Sequence, residues 1–89
     1  MFLLDFDTIF FKEGTAIIAY CPELDVSSCG NDIEQARANL KTAVRLFVEE
    51  AQKMGTLDDI LEESGFTQSP TSSWHPPRLL ATELMSLAA

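Results

Sequence analysis

At 89 residues and 9.9 kDa the chain has room for one domain, with a thin core that a second subunit would extend. Six Lys+Arg against fourteen Asp+Glu leave a formal net charge of −8. That balance works against holding nucleic acid, where cationic contacts to phosphate supply much of the affinity, and suits a basic protein partner. A hydrophobic content of 46% excludes a disordered acidic tail, and no apolar stretch approaches the ~20 residues of a membrane span. Met1-Phe2-Leu3-Leu4 runs straight into Asp5 and Asp7 with no basic region before it, unlike a secretory signal. Cys21 and Cys29 then predict reduced thiols in the cytoplasm.

Along Phe2 to Phe11, the apolar Phe2, Leu4, Phe6 and Phe10 alternate with Asp5 and Asp7, the period of a strand with one buried face. Lys12-Glu13-Gly14 is the expected break, because Gly14 takes the positive φ of a tight hairpin. Thr15 to Tyr20 predicts a second strand, ended by Cys21 because Pro22 has no N–H for a ladder. Leu24 to Cys29 predicts a third, with Gly30 after it, so the first third of the chain reads as an antiparallel meander.

Ile33, Ala36, Leu40, Ala43, Val44, Phe47, Ala51 and Met54 recur at three- and four-residue steps, the stripe of an amphipathic helix over 33–54. Asp32 is its N-cap and Gln35 the box partner, Glu34 and Lys53 suit the dipole, and Gly55 is the C′ residue. Thr56 opens a short second helix with Asp59 in the box position, Leu57, Ile60 and Leu61 on its apolar face and Gly65 at its end. The Ser, Thr and Pro of residues 67–77 predict a loop. Residues 78–89 fit two periods: Leu80, Leu84 and Leu87 suit a helix, which propensity favours, and Leu79, Ala81, Met85 and Leu87 suit a strand face.

Three runs in order, Tyr20-Cys21-Pro22-Glu23-Leu24-Asp25-Val26, Gly30-Asn31-Asp32-Ile33-Glu34-Gln35-Ala36 and Asn39-Leu40-Lys41-Thr42-Ala43-Val44, resemble the HicB-like antitoxin family. That family's pattern is a hairpin, a "cPeL" turn, a "G-x-T-x-x-E-A" helix start and an "N-L-x-x-A" continuation. Asp32 stands where the family usually has Thr and Gln35 where it has Glu; both substitutions keep a cap and its partner. The resemblance implies one domain over 1–89 of α+β class, a truncated ribonuclease-H-like β-β-β-α-β unit. In it the long helix lies across one sheet face and the last strand lies beside the first, which turns the reading of 78–89 from helix to strand, over Leu79 to Leu87. It also implies binding and masking of a small basic HicA-like ribonuclease toxin by a cytoplasmic homodimer. Only Arg78 is basic after Phe66, so the separate DNA-binding domain of the full-length antitoxins is not expected here, and nor is direct nucleic-acid binding.

No residue is assigned to chemistry, and no cofactor or metal is expected. The alternatives are a small metal-dependent nuclease using Asp5, Asp7 and Glu23, or an oligomeric relative that has lost its toxin; the nuclease needs its carboxylates to converge. Cys21, Cys29 and His75 are three soft ligands at no standard zinc spacing, and Ser72, Ser73 and His75 share a loop without the opposed geometry of a nucleophile and its base. Interface candidates are Glu23 and Asp25 in the turn and Trp74, Pro76 and Pro77 in the stiff Trp74-His75-Pro76-Pro77 run, where Trp74 serves either as an anchor or as a cover for the core edge. Arg37, Lys41 and Arg45 form a basic ridge expected to be solvated or paired with Glu34, Glu49 and Glu50.

Overall fold

Alternation of apolar and polar residues gives way at Asp32 to a helical period, and the chain folds accordingly. The computed structural model describes residues 2–89. It is an α+β arrangement with one long helix, one short helix and two small sheets. The strands are β1 (Leu3–Leu4), β2 (Ile9–Glu13), β3 (Ala16–Cys21), β4 (Val26–Gly30), β5 (Thr67–Gln68) and β6 (Ser73–His75); the helices α1 (Ile33–Met54) and α2 (Leu57–Glu63) lie between β4 and β5.

The meander is β2-β3-β4, antiparallel throughout, with Ile9 opposite Tyr20 and Cys21 opposite Val26. Its first strand is shorter than the alternation suggests. Residues 5–8 carry no ladder and divide the expected Phe2–Phe11 strand into β1 and β2, while Lys12 and Glu13, expected in the break, extend β2 opposite Ile17 and Ala16. The turn is Gly14-Thr15, with Gly14 at φ 62°. Leu4, Phe6 and Phe10 nonetheless share the inward side and border the core.

α1 packs across β3 and β4 and contributes Ala36, Leu40, Val44, Val48 and Ala51 to a core completed by Ala19, Cys21, Leu57, Leu61, Phe66 and Trp74. Ile33 and Met54, the two ends of the expected stripe, are exposed. At 1.5 Å per residue the helix runs about 33 Å, well past the roughly 17–20 Å of a five- or six-residue strand. Val48 takes the inward position in the middle. At the far end the Gly55 N–H donates to the Gln52 carbonyl and the Thr56 N–H to that of Ala51, a Schellman closure with Gly55 at φ 72°. Thr56 is spent on that closure: its hydroxyl donates back to the Ala51 carbonyl at 3.5 Å and does not cap α2.

Residues 67–77 and 78–89 exchange the roles expected of them. The supposed loop holds the hairpin β5-β6, closed by the Ser69 N–H donating to the Ser73 carbonyl at 2.7 Å and the Ser73 N–H donating to the Ser69 Oγ at 3.2 Å. β6 then lies parallel to β1, with Leu3 opposite Ser73 and Leu4 opposite Trp74, so the strand beside the chain's first is β6. Residues 76–89 form no helix or strand, and Leu79, Leu80, Leu84, Met85 and Leu87 are exposed. The reason lies in the prolines. The Asp5 N–H donates to the Trp74 carbonyl, and in a parallel ladder the next bond would come from the N–H of residue 76, which Pro76 lacks.

Candidate interaction surfaces

Two residues at the start of α1 are fixed by purely local chemistry. Asp32 sits at φ −145°, ψ 175° and its Oδ1 accepts the Gln35 N–H at 2.7 Å. The Gln35 Oε1 turns back to accept the N–H of Asn31, one residue before the cap, at 2.6 Å. Asn39, a turn later, donates its side-chain amide to the Cys29 carbonyl of β4 at 2.8 Å, which ties the helix to the strand.

The turn after β3 holds Glu23 and Asp25. Glu23 is folded inward: its Oε1 accepts the Asp7 N–H at 3.2 Å and lies 3.5 Å from the Cys21 thiol. Partial burial, first, and the neighbourhood of Asp7, second, hold its carboxyl above the usual range. Burial likewise pushes the Cys21 thiol up to about 11, with the negative Glu23 adding to it. Asp25 stands outside with its backbone at φ 54° and accepts the Tyr20 hydroxyl at 2.9 Å, the contact that most raises the phenol's pKa.

Of Asp5, Asp7 and Glu23, the last two lie side by side, while Asp5 is drawn to His75 instead. The Asp5 carboxylate meets the His75 Nδ1 at 3.1 Å across the β1-β6 pair, and Glu23 serves the Asp7 backbone. Cys21 and Cys29 are both free and lie on opposite faces of the sheet, Cys21 paired with Val26 and Cys29 with Ile18, while His75 is on the other sheet. Among the described residues no group of three His, Cys, Asp or Glu is placed to hold a metal ion.

Trp74 is 4% exposed and belongs to the core, so the reading in which it covers the core edge is the one its position fits. Pro76 is half-buried, and the Pro77 ring occupies the space over Gly65, its Cγ 2.9 Å from where a Cβ there would stand. The basic ridge does not pair with the acidic residues of its own helix. Arg37 lies 5.5 Å from the centre of the Phe10 ring, Arg45 approaches the Thr42 hydroxyl at 3.5 Å, and among the described residues no Lys or Arg lies within 4.0 Å of a carboxylate, the one basic side chain that does being His75, at Asp5. Lys41 and Arg45 instead rim a groove of about 250 Å³ floored by Leu4, Phe6, Val44 and Val48.

The sheet face turned away from α1 is the surface that sequence reasoning did not single out. Ile9 opposite Tyr20, and Phe11 opposite Ile18, which in turn faces Cys29, form an apolar band with no helix or strand packed over it among the described residues. Its signal in the sequence is the second parity of β2, Ile9 and Phe11, apolar beside the inward Phe10. The His75–Asp5 contact was also missed; seventy residues of separation leave no local trace of it.

No family model, no curated protein and no solved structure matches the chain. Among the described residues no helix is long and apolar enough to cross a membrane.

Proposed function

We propose that the protein is a non-catalytic interaction module of antitoxin type, a cytoplasmic homodimer that binds and masks a small basic ribonuclease toxin. One observation carries this reading. Among the described residues no charged or polar side chain is fully buried; of the fourteen acidic groups twelve are exposed and two, Asp7 and Glu23, are half-buried, on a chain carrying −8 overall. A field of that sign attracts and orients a basic protein and repels RNA, so it suits masking a nuclease better than acting as one. The meander with α1 across one face also agrees with the truncated ribonuclease-H-like unit that the HicB-like resemblance implies.

The test is to look beside this chain's gene for a reading frame encoding a small basic protein, purify that product and measure its RNA cleavage as this chain is added. Stoichiometric loss of cleavage, with a joint peak in size-exclusion chromatography, is the expected result. Divalent-dependent cleavage by the chain alone, abolished by Asp5→Asn, would put the nuclease in its place. Absence of any complex with the neighbouring protein would remove the toxin from the reading.

A further inference from the structure

We infer that the groove between α1 and residues 2–6 docks an acidic amphipathic helix of a partner protein, its leucines on the groove floor and its carboxylates at Lys41 and Arg45. This partner is opposite in charge to the toxin proposed above, and the two readings are independent.

The distribution of charge comes first. Six Lys and Arg stand against fourteen Asp and Glu in the chain, yet three of the six, Arg37, Lys41 and Arg45, fall on one row of α1 at four-residue steps. All three are exposed, and none has a carboxylate within 4.0 Å among the described residues. Glu49 is the next step of that row, at a spacing that suits an ion pair with Arg45. The Arg45 guanidinium turns to the Thr42 hydroxyl instead, and Arg37 is laid against the Phe10 ring. Lys41 and Arg45 thus keep their charge for the outside, with a local sign opposite to that of the whole chain.

Apolar surface lies directly beside them. Val44 and Val48 of α1, with Leu4 and Phe6 across from them, floor the groove of about 250 Å³ that the two cations rim. Its lip is Phe2 and Leu3, 37% and 53% exposed. Apolar side chains that water still reaches, bordered by unpaired cations, are complementary to a surface that is apolar and anionic together.

Size and spacing select the occupant. An open groove of this volume is smaller than the roughly 300–1,000 Å³ that encloses a small ligand, and it suits a few side chains of a larger body. Four residues of helix rise by about 6 Å. Two carboxylates four residues apart on a second helix therefore match Lys41 and Arg45, and leucines at the neighbouring helical steps meet the floor, as in other helix-in-groove contacts. A strand of nucleic acid fits less well: of the floor residues only Phe6 offers a ring for stacking, and the net −8 repels phosphate.

The experiment titrates the full chain into labelled alanine-based helical peptides and reads fluorescence anisotropy. One peptide carries a leucine stripe flanked by Glu pairs four residues apart, a second has Gln for each Glu, and a third has Ser for each Leu. Saturable binding of the Leu/Glu peptide is expected, about tenfold or more tighter than that of either control, and weaker as salt rises. Lys41→Gln with Arg45→Gln is expected to bind the Leu/Glu and Leu/Gln peptides alike, with an unchanged melting temperature, since both positions are exposed. Absence of binding by the natural chain overturns the inference, and so does a preference for Glu that survives the double substitution. Binding that appears only in a chain carrying Leu80→Ser and Leu84→Ser would give the groove to the chain's own tail and remove the partner. Displacement of the peptide by a single-stranded oligonucleotide would give it to nucleic acid, with the same consequence. Masking of a toxin is read from RNA cleavage and stands or falls apart from all of these.

Discussion

Cys21 and Glu23 share one corner of the core, where burial raises the proton affinity of both, which makes two outcomes measurable. With its thiol pushed from an ordinary 9.0 up to about 11, Cys21 stays protonated at pH 8 and unreactive, while the exposed Cys29 is open to reagent. Iodoacetamide is expected to label one site in the native protein and two in urea. Because the unfolded thiol ionises at lower pH than the folded one, this group's contribution to stability is complete below pH 9 and declines as pH climbs towards about 11. Glu23 follows the same sign: its raised carboxyl pKa means that ionisation in the fold is mildly unfavourable at neutral pH. Glu23→Gln keeps an oxygen for the Asp7 N–H and is expected to unfold at an equal or higher urea midpoint. Glu23→Ala leaves that N–H without its acceptor, at a cost of about 1 kcal/mol. Chemistry within three residues is what a sequence displays at this scale. Asp32 and Gln35 announce the helix start because cap and recipient are neighbours, whereas nothing near Asp5 points to His75.

Elements were legible in proportion to how many side chains voted for them. α1 spans 33–54 as its period indicates, and only the drift of the stripe at its ends, with Val48 in and Ile33 and Met54 out, departs from the pattern. Residues 67–77 failed the same test. Serines that look like loop-formers use their hydroxyls and backbone to close the β5-β6 turn, and a three-residue strand is too short to show a period. Residues 78–89 satisfied two periods at once, and within one chain neither face finds a partner to settle it. Contact between elements also sets a prediction. A Cβ at Gly30 would stand 2.6 Å from the Ala36 backbone nitrogen and 2.9 Å from the Gln35 carbonyl carbon, so β4 and the first turn of α1 must separate to admit it. Gly30→Ala is expected to cost about 1–3 kcal/mol, read from the thermal unfolding midpoint.

For the molecule as a whole, charge is the property that composition stated without help from the fold. A net −8 borne mostly on exposed side chains predicts that association with a basic partner slows steeply as salt is added. Stopped-flow rates should fall most before ionic strength reaches about 1 M, where the screening length is near 3 Å, while dissociation changes little. A rate indifferent to salt would remove steering from the account. What composition did not state was how the two sheets divide the chain, because the β1-β6 pair joins residues at opposite ends of it. That junction has a practical use. Trp74 is the chain's single tryptophan and is sealed inside at the seam between the first and last strands. Its fluorescence is therefore an unmixed optical gauge of whether that seam is closed: blue-shifted and shielded from acrylamide while it holds, red-shifted and quenchable once it opens.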